Sequence, residues 1–249
     1  MSKLNILLYD IETSPITSYT WGIWEQNVVG VKEDWYMMTF AYKWLGDKTV
    51  KARALPDYKT YAKKPKSDKE LVKELWELFN RADIIIGHNG DKFDIKKTNA
   101  RFLAHGLTPP SSYRTIDTVK VARKYFAMNS NKLNDIGKYL GLGEKEDTGG
   151  FQLWVDCMAG DMGAWKRMVK YNKRDVELLE SIYLVLRPWI KGHPNLNVVE
   201  EGCPSCGADT LQKRGFGYTQ TGTHQRFQCT SCAAWSKGPN VSAGLEVKS

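Results

Sequence analysis

Apolar residues recur along the chain at the periods that buried strands and amphipathic helices require. Short apolar runs predict strands at residues 4–9, 35–45, 49–55, 84–86 and 115–116. Apolar spacings of three and four residues predict helices at 71–79, 93–103, 119–125 and 133–140, and a long helix at about 164–186. Strands that come first and then alternate with helices predict an α/β domain built on a mixed sheet.

The composition changes after the long predicted helix. Gly192 and Pro194 interrupt regular structure there, so we predict a main domain at 1–190 and a linker at 191–200. Gly, Thr and Cys are frequent beyond the linker and no helical period is present, which favours a small β module at 201–238. Residues 239–249 are predicted to form a flexible tail.

Composition and charge narrow the class of protein. Of the 249 residues, 42% are hydrophobic and nine are tryptophan, which excludes a wholly disordered or low-complexity chain. No apolar run approaches the roughly 18 residues that a membrane span requires, so we expect a soluble cytoplasmic protein with no membrane partner. The 36 basic and 28 acidic residues leave a charge of +8. This charge indicates either a polyanionic partner or a role in solubility alone.

Candidate metal-binding carboxylates occur at three places along the chain, each at the end, at the start or within a predicted element. Asp10 and Glu12 come directly after the first strand, and Asp94 begins the helix that follows the strand at 84–86. Asp175 lies four residues after Tyr171 on the long helix, so the two share a helix face. Like charges held side by side are costly unless a cation separates them. Each place alone also fits a bland alternative, namely a solvated turn, a helix cap or a chance spacing.

The same tyrosine–aspartate spacing occurs a second time, at Tyr113 and Asp117. At least one of the two pairs is therefore coincidental. Tyr113 and Asp117 bracket a predicted strand, whereas Tyr171 and Asp175 lie within a predicted helix, and we favour the second pair for that reason.

The order of the three motifs is more specific than any one of them. Asp10-Ile11-Glu12, then His88-Asn89 with Phe93-Asp94, then Tyr171 with Asp175 resembles the exonuclease motifs of the tyrosine-bearing (DEDDy, DnaQ-like) branch of the DEDD superfamily. The middle motif is most similar to that of the proofreading domain of family B DNA polymerases. The resemblance continues through 116–118 and 133–141 and covers roughly residues 4–188. Because no polymerase domain is present, the chain is similar to stand-alone DEDDy exonucleases, which are frequent among phages.

This resemblance implies a ribonuclease-H-like fold, a mixed sheet flanked by helices, and hydrolysis in the 3′→5′ direction. It implies that Asp10, Glu12, Asp94 and Asp175 hold two Mg²⁺ or Mn²⁺ ions, with Tyr171 beside the attacking water. Two such cations stabilise the charge on the entering and leaving oxygens of a phosphodiester. An unperturbed phenol has a pKa of about 10, so we expect Tyr171 to orient the water rather than deprotonate it. A phage-encoded enzyme would act in the host cytoplasm.

Three further residues near the motifs are candidate substrate contacts: Thr13, Asn89 and Phe93. Asn89 alternatively braces its loop, and Phe93 alternatively belongs to the core. His88 is expected to be a hydrogen-bonding loop residue rather than a base. The lysines at 59, 63, 64 and 66, with the tyrosines at 58 and 61, either guide a single strand or form a solvated loop. The tryptophans at 21, 24, 35 and 44 are core or stacking surface.

Four cysteines in the C-terminal module stand as two Cys-x2-Cys pairs: Cys203, Cys206, Cys229 and Cys232. This spacing predicts one structural Zn²⁺ in a closed tetrahedral site, and the module resembles a zinc ribbon. A stretch this short has little core, so we expect the metal to hold it folded. Basic and aromatic residues suit it to DNA, namely Arg214, Phe216, Tyr218, Arg226 and Phe227. A purely structural or protein-docking ribbon is the alternative. Cys157 is predicted to be a buried apolar residue.

The sequence therefore predicts a metal-dependent 3′→5′ exodeoxyribonuclease that acts on single-stranded DNA 3′ ends and uses its ribbon to engage DNA. A 3′→5′ exoribonuclease is the nearest alternative, because the same carboxylate chemistry cleaves RNA. The alternative from another class is a nucleic-acid-binding adaptor that recruits replication or recombination proteins through the ribbon.

Overall fold

A computed structural model of the protein describes residues 4–24, 27–196 and 202–241. The chain divides into two compact units, residues 4–182 and the residues from Tyr183 onward. Seven strands belong to the first unit: β1 (Ile6–Thr13), β2 (Thr17–Tyr19), β3 (Gly30–Glu33), β4 (Met37–Trp44), β5 (Lys51–Ala54), β6 (Ile84–Gly87) and β7 (Arg114–Asp117). Its helices are α1 (Lys69–Arg81), α2 (Asp94–Ala104), α3 (Thr118–Tyr125), α4 (Leu133–Tyr139), α5 (Gln152–Met158) and α6 (Met162–Leu186), whose last turn enters the second unit.

The main sheet is mixed and has the strand order β5-β4-β1-β6-β7. β1 pairs antiparallel with β4 and parallel with β6. The parallel pairing ends at Leu8 opposite Ile86, whereas the antiparallel pairing continues past Glu12 to Thr13 opposite Met37. The carboxyl half of β1 therefore extends beyond β6 and leaves its edge open on that side. A crevice at the carboxyl ends of parallel strands is a common place for a binding site in α/β proteins.

Alternation along β1 assigns its side chains to opposite faces of the sheet. Leu7, Tyr9 and Ile11 are buried in the core that also contains the apolar face of α1. The ring of Tyr9 meets that of Phe79 edge-on at 5.0 Å between centroids. The other face of β1 presents Leu8 and then two acidic side chains toward α6. The same strand thus anchors the core and supplies carboxylates.

The strands and helices predicted from periodicity are present, with one difference that matters for the site. We predicted that the first strand ends at residue 9, but β1 runs to Thr13, so Asp10 and Glu12 lie within it. The strand is longer because β4 continues to pair with it, a contact between distant segments that periodicity does not report. The hairpin β2–β3 and the helix α5 were not predicted.

The second unit contains the predicted β module. Its three antiparallel strands are β8 (Leu211–Thr219), β9 (Gly222–Cys229) and β10 (Trp235–Asn240), with β9 in the centre. β10 continues two residues beyond the predicted end of the module at 238. Val241 is the next described residue of the predicted tail, and its amide donates to Thr223 O at 2.8 Å. The rest of the predicted tail lies outside the described residues. No helix in the described parts of the chain is both long and apolar enough to cross a bilayer.

Candidate active site

Three carboxylates converge where β1 passes α6. One oxygen each of Asp10, Glu12 and Asp175 lies within 4.8 Å of the others. Asp10 and Glu12 are neighbours on one face of β1, and α6 supplies Asp175, which is 1% exposed. Asp94 is the first residue of α2, and its Oδ1 accepts a hydrogen bond from the amide of Ile11 at 3.4 Å. It lies beside this group, although it is outside the 4.8 Å set.

Burial and mutual repulsion both disfavour ionisation of these carboxyls. Burial raises the pKa of Asp10 well above its usual value, and the charges of Asp94, Glu12 and Asp175 raise it further. Burial together with the charge of Asp175 raises the pKa of Glu12 to about 8. Burial raises the pKa of Asp94 to about 7, although two backbone amides donate to its carboxylate. The site therefore resists full negative charge unless a cation is present.

Lys145 provides one positive charge at this site. Its Nζ donates to Asp175 Oδ2 and to the hydroxyl of Tyr171, the latter at 3.0 Å. Burial raises the pKa of Asp175, and the ammonium of Lys145 opposes this effect. Burial also raises the pKa of the Tyr171 phenol, and the nearby charges of Asp175 and Glu12 add to the increase. Tyr171 is therefore neutral at any ordinary pH, in agreement with an orienting role.

Lys145 is a site residue that the sequence did not predict. It stands between α4 and α5 in a segment without hydrophobic periodicity, and no motif marks it. Only the folded chain brings it to Asp175, thirty positions later.

Asn172 is a second residue that the sequence analysis missed. Its side-chain amide donates to Asp10 Oδ2 at 2.7 Å and to Asp10 O at 3.3 Å. Its Oδ1 accepts from the hydroxyl of Thr39 on the neighbouring strand at 3.3 Å. Asn172 is fully buried and fixes the orientation of Asp10 relative to α6. A signal was available, because Asn172 precedes Asp175 by three residues and so lies on the same helix face.

The donor set fits divalent metal ions. Carboxylate oxygens are the ligands that Mg²⁺ and Mn²⁺ prefer. Asp175 Oδ1 is buried and has no hydrogen-bond partner among the described residues, although an unsatisfied buried oxygen is costly. A cation held by these oxygens would satisfy that atom and offset the repulsion between the carboxylates.

The predicted substrate contacts line two open cavities: Thr13 and Phe93 line one, and Asn89 lines the other. Thr13 and Phe93 line an open cavity of about 510 Å³ together with Trp35, Lys97 and Trp154. Lys97 Nζ lies 3.9 Å from the ring centroid of Trp35 and 5.3 Å from that of Phe93. Phe93 is 41% exposed at this cavity and is not a core residue. An aromatic wall with one ammonium suits an unpaired nucleobase and its phosphate.

Asn89 lies in the tight loop between β6 and α2. Its φ of 62° is in the left-handed region, and its amide donates to Asp117 Oδ1 at 2.9 Å. Gly87 and Gly90 make this loop possible, because a Cβ on either would lie 3.2 Å from the Cα of the other. Asn89 also lines an open cavity of about 640 Å³ that reaches Lys145. His88 hydrogen-bonds Thr118 and Asn131, and burial lowers its pKa to about 4.

Several other candidates have structural tasks. Asp117 caps α3 by accepting from the amide of Val119 at 3.0 Å, and the ring of Tyr113 packs edge-on against Phe79. In the basic loop, the hydroxyl of Tyr58 donates to Glu74 at 2.6 Å, and that of Tyr61 accepts from the indole of Trp165. The four tryptophans divide into two groups. Those at 35 and 44 are half-buried, whereas those at 21 and 24 are 89% and 79% exposed.

The four cysteines of the ribbon meet as a second group. Their sulfur atoms all lie within 4.8 Å of one another. Cys203 Sγ is 3.7 Å from Cys232 Sγ, and Cys206 Sγ is 3.7 Å from Cys229 Sγ. Two tight turns produce this arrangement, since the amides of Gly207 and Ala233 donate to the carbonyls of Cys203 and Cys229. Four thiolates in this arrangement fit a closed zinc site. Cys157 is fully buried in the core of the other unit.

Comparison with known proteins agrees with the fold. The RNase_H_2 family model of the RNase_H superfamily matches residues 7–187. The chain belongs to the RNase H superfamily. It is also similar in structure to the family B DNA polymerase from the hyperthermophilic archaeon Pyrobaculum calidifontis, with a TM-score of 0.54 and 12% identity. That match covers 88% of this chain and 31% of the polymerase, so the chain spans about a third of the polymerase's length. No curated protein matches the chain.

Membership of the RNase H superfamily confirms the predicted ribonuclease-H-like fold. It supports a nuclease whose substrate is nucleic acid, and RNase H-like nucleases use divalent metal ions. The carboxylate and cysteine groups are both able to hold metals. The polymerase likeness shows the fold alone at this level of identity. The tyrosine-type subgroup, the direction of hydrolysis and the roles of single residues stay predictions.

Proposed function

We propose that the protein is a metal-dependent 3′→5′ exonuclease of the DEDDy type, acting on single-stranded 3′ ends and preferring DNA. The observation that carries the proposal is the convergence of Asp10, Glu12 and Asp175 beside the hydroxyl of Tyr171. Four carboxyls surround this site, and the ammonium of Lys145 offsets only part of their charge. Their raised pKa values and the one unsatisfied carboxylate oxygen indicate that further positive charge would stabilise it. RNase H-like nucleases use divalent metal ions, which such a site would hold.

The chain's own residues have distinct tasks in this proposal. Asp10, Glu12, Asp94 and Asp175 would hold two Mg²⁺ or Mn²⁺ ions. Such ions would supply activation of the water and stabilisation of the charge on the leaving oxygen. Tyr171 orients the water through its hydroxyl, because a phenol with a raised pKa is a poor base. Asn172 holds the Asp10 carboxylate in place. Lys145 fixes both the Tyr171 hydroxyl and one oxygen of Asp175.

Recognition of an unpaired end is assigned to the open cavity beside these carboxylates. Phe93 and Trp35 present aromatic surface there, and Lys97 places an ammonium against both rings. The hydroxyl of Thr13 accepts from Lys97 Nζ at 3.5 Å, which brings this positive charge to the end of β1. Stacking on an aromatic wall tolerates any base but needs it unpaired, and this is the reason for preferring single strands.

Digestion of end-labelled oligonucleotides in Mg²⁺ or Mn²⁺ tests the proposal. A 5′-labelled single strand should yield a ladder that shortens from the 3′ end, and a blocked 3′ hydroxyl should slow the first cleavage. Duplex DNA and single-stranded RNA of the same sequence measure strand and sugar preference. Faster digestion of RNA would replace the deoxyribonuclease with the exoribonuclease alternative.

Two variants make the result specific to the site. Asp10→Asn should remove digestion, whereas Glu74→Gln, which neutralises an acid paired with Arg53 outside the site, should not. Internal cleavage products, or a ladder that starts from the 5′ end, would contradict the proposal. Binding without any digestion in either metal would favour the adaptor alternative.

A further inference from the structure

The strand register of the ribbon assigns its side chains to two chemically different faces. Residues directly opposite one another in an antiparallel pair share a face. On β9, Arg226 is opposite Lys237 and Gln228 is opposite Trp235, both on β10. Gln228 is also opposite Gln212 of β8. These residues therefore lie on one face of the sheet, and Phe227, which lies between Arg226 and Gln228, faces the other way.

A bulge in β8 adds a third basic side chain, Arg214, to the same face. The pairing shifts between Lys213 and Phe216, so Arg214 and Gly215 both stand opposite Arg226. The guanidinium of Arg214 donates to Gln212 Oε1 at 3.1 Å, which places it on that side of the sheet. We call the surface made by Arg214, Arg226, Trp235 and Lys237 the basic face. All four are exposed, and Trp235 is 55% exposed.

The basic face combines charge with an ordered aromatic ring. The guanidinium of Arg226 lies over the ring of Trp235, 5.4 Å from its centroid. The stem of Arg226 rests on Gly217, where an added Cβ would come within 3.3 Å of it. Gly215 and Gly217 have no side chains at this part of β8, which permits close approach of another chain. Arg226 and Trp235 are thus held in position before any ligand binds.

The reverse face is different in kind. It carries Lys213, Phe216, Tyr218 and Phe227, so the aromatic residues suggested by the sequence lie opposite from the arginines. Phe227 is half-buried against Gly238, where an added Cβ would lie 3.0 Å from the ring. The aromatic residue on the same face as the basic side chains is Trp235, which was not among the residues selected from the sequence.

We propose that the basic face of the ribbon, formed by Arg214, Arg226, Trp235 and Lys237, is a binding site for single-stranded nucleic acid. Charge complementarity identifies the occupant. Residues 202–241 contain four lysines and arginines and one acidic residue, Asp209. Three of the four basic side chains are on this face. Phosphates neutralise such a surface and release counterions, while Trp235 stacks an unpaired base. This site is separate from the proposed nuclease site and goes beyond it.

Equilibrium binding by the full-length, zinc-loaded protein tests this inference. Fluorescence anisotropy measures binding of labelled oligo-dT and oligo-rU. Probes of about 20 nucleotides are used because this length exceeds the site size of a single small module. An Asp10→Asn background without Mg²⁺ or Mn²⁺ protects the probe, and a salt series gives both Kd and its slope. Trp235→Ala should raise Kd about 5- to 150-fold, the range for loss of one stacked base. Lys237→Gln should reduce the salt slope by about 0.7, as expected for one phosphate contact on a single strand.

Matched changes on the reverse face are the controls. Lys213→Gln removes the same charge and Tyr218→Ala removes an exposed ring, and both should leave Kd within about twofold because neither group contacts the strand. Trp235→Phe should restore most of the affinity lost in Trp235→Ala, and an unchanged zinc content shows that the ribbon is folded. DNA and RNA both offer phosphates and unpaired bases, and comparing Kd for the two probes shows which of them the basic face prefers.

Equal losses from changes on both faces, or no loss from either, would overturn the inference. Tighter binding of duplex DNA that does not depend on Trp235 would overturn it as well. The nuclease proposal is tested separately, because binding is measured without hydrolysis. A protein that digests DNA normally yet shows no Trp235 effect refutes only the ribbon site.

Discussion

Replacing Lys145 with methionine removes the ammonium from the carboxylate site and keeps most of the aliphatic stem. The side chain of Lys145 is 28% exposed, and that of its partner Asp175 is only 2% exposed. Removing one member of a buried ion pair costs about 3–5 kcal/mol, and the partial exposure of Lys145 favours the lower value. For a chain of this size, about 3 kcal/mol corresponds to a decrease in Tm of roughly 6–12 °C in the metal-free protein.

The expected loss depends on pH, because it requires ionised carboxylates. Glu12 and Asp94 have pKa values raised to about 8 and about 7 in the folded protein, above those of the unfolded chain. They are therefore largely neutral at about pH 5 and largely charged at about pH 9. The destabilisation by Lys145→Met should be small at the lower pH and full at the higher one. Saturating Mn²⁺ should reduce it, since a bound cation replaces the missing charge.

Thermal unfolding of both proteins at the two pH values, with and without Mn²⁺, measures these effects. Lys43→Met is the matched control. It breaks a pair with Glu180 whose atoms are 2.5 Å apart and whose side chains are 11% and 16% exposed, outside the carboxylate cluster. Its loss should not respond to Mn²⁺. Equal losses for Lys145→Met at both pH values, or a loss that Mn²⁺ leaves unchanged, would refute the assigned role of Lys145.

Four further outcomes follow from the same site. Asp10→Ala or Asp94→Ala should abolish digestion while keeping or raising the metal-free Tm, and near-normal digestion in saturating Mg²⁺ would refute their assignment as ligands. Tyr171→Phe should slow digestion without abolishing it, because the phenol orients the water but is not its base, and Tyr113→Phe should leave the rate unchanged; the reverse result would show that the wrong pair was chosen. The metal-free Tm should decrease as pH rises from about 5 to about 9, because two carboxyls with pKa values raised to about 7 and about 8 must ionise. A flat profile would contradict this. A chain that ends after residue 195 should keep its turnover at saturating substrate, measured as initial rates; loss of turnover in a folded truncated protein would show that the ribbon completes the site.

Features that depend on residues close together in the chain were predictable from the sequence alone. Hydrophobic periodicity predicted α1, α2 and α6, because burial of one helix face requires apolar residues at fixed spacings. The spacing of the cysteines predicted the sulfur cluster, since a tight turn aims both thiolates of a pair at one point. The order of the acidic motifs led to the ribonuclease-H-like fold, which the RNase H superfamily match confirmed.

Tertiary structure decided everything that depends on distant segments meeting. β1 extends past Asp10 because β4 pairs with it, and Asn172 reaches Asp10 across 162 positions of the chain. Lys145 has no local pattern, and its role depends entirely on where its segment packs. In the ribbon, register alone separates Arg226 from Phe227 and joins it to Trp235. Local spacing constrains the shape of one element, whereas the electrostatics of a site depend on which elements the packed core brings together.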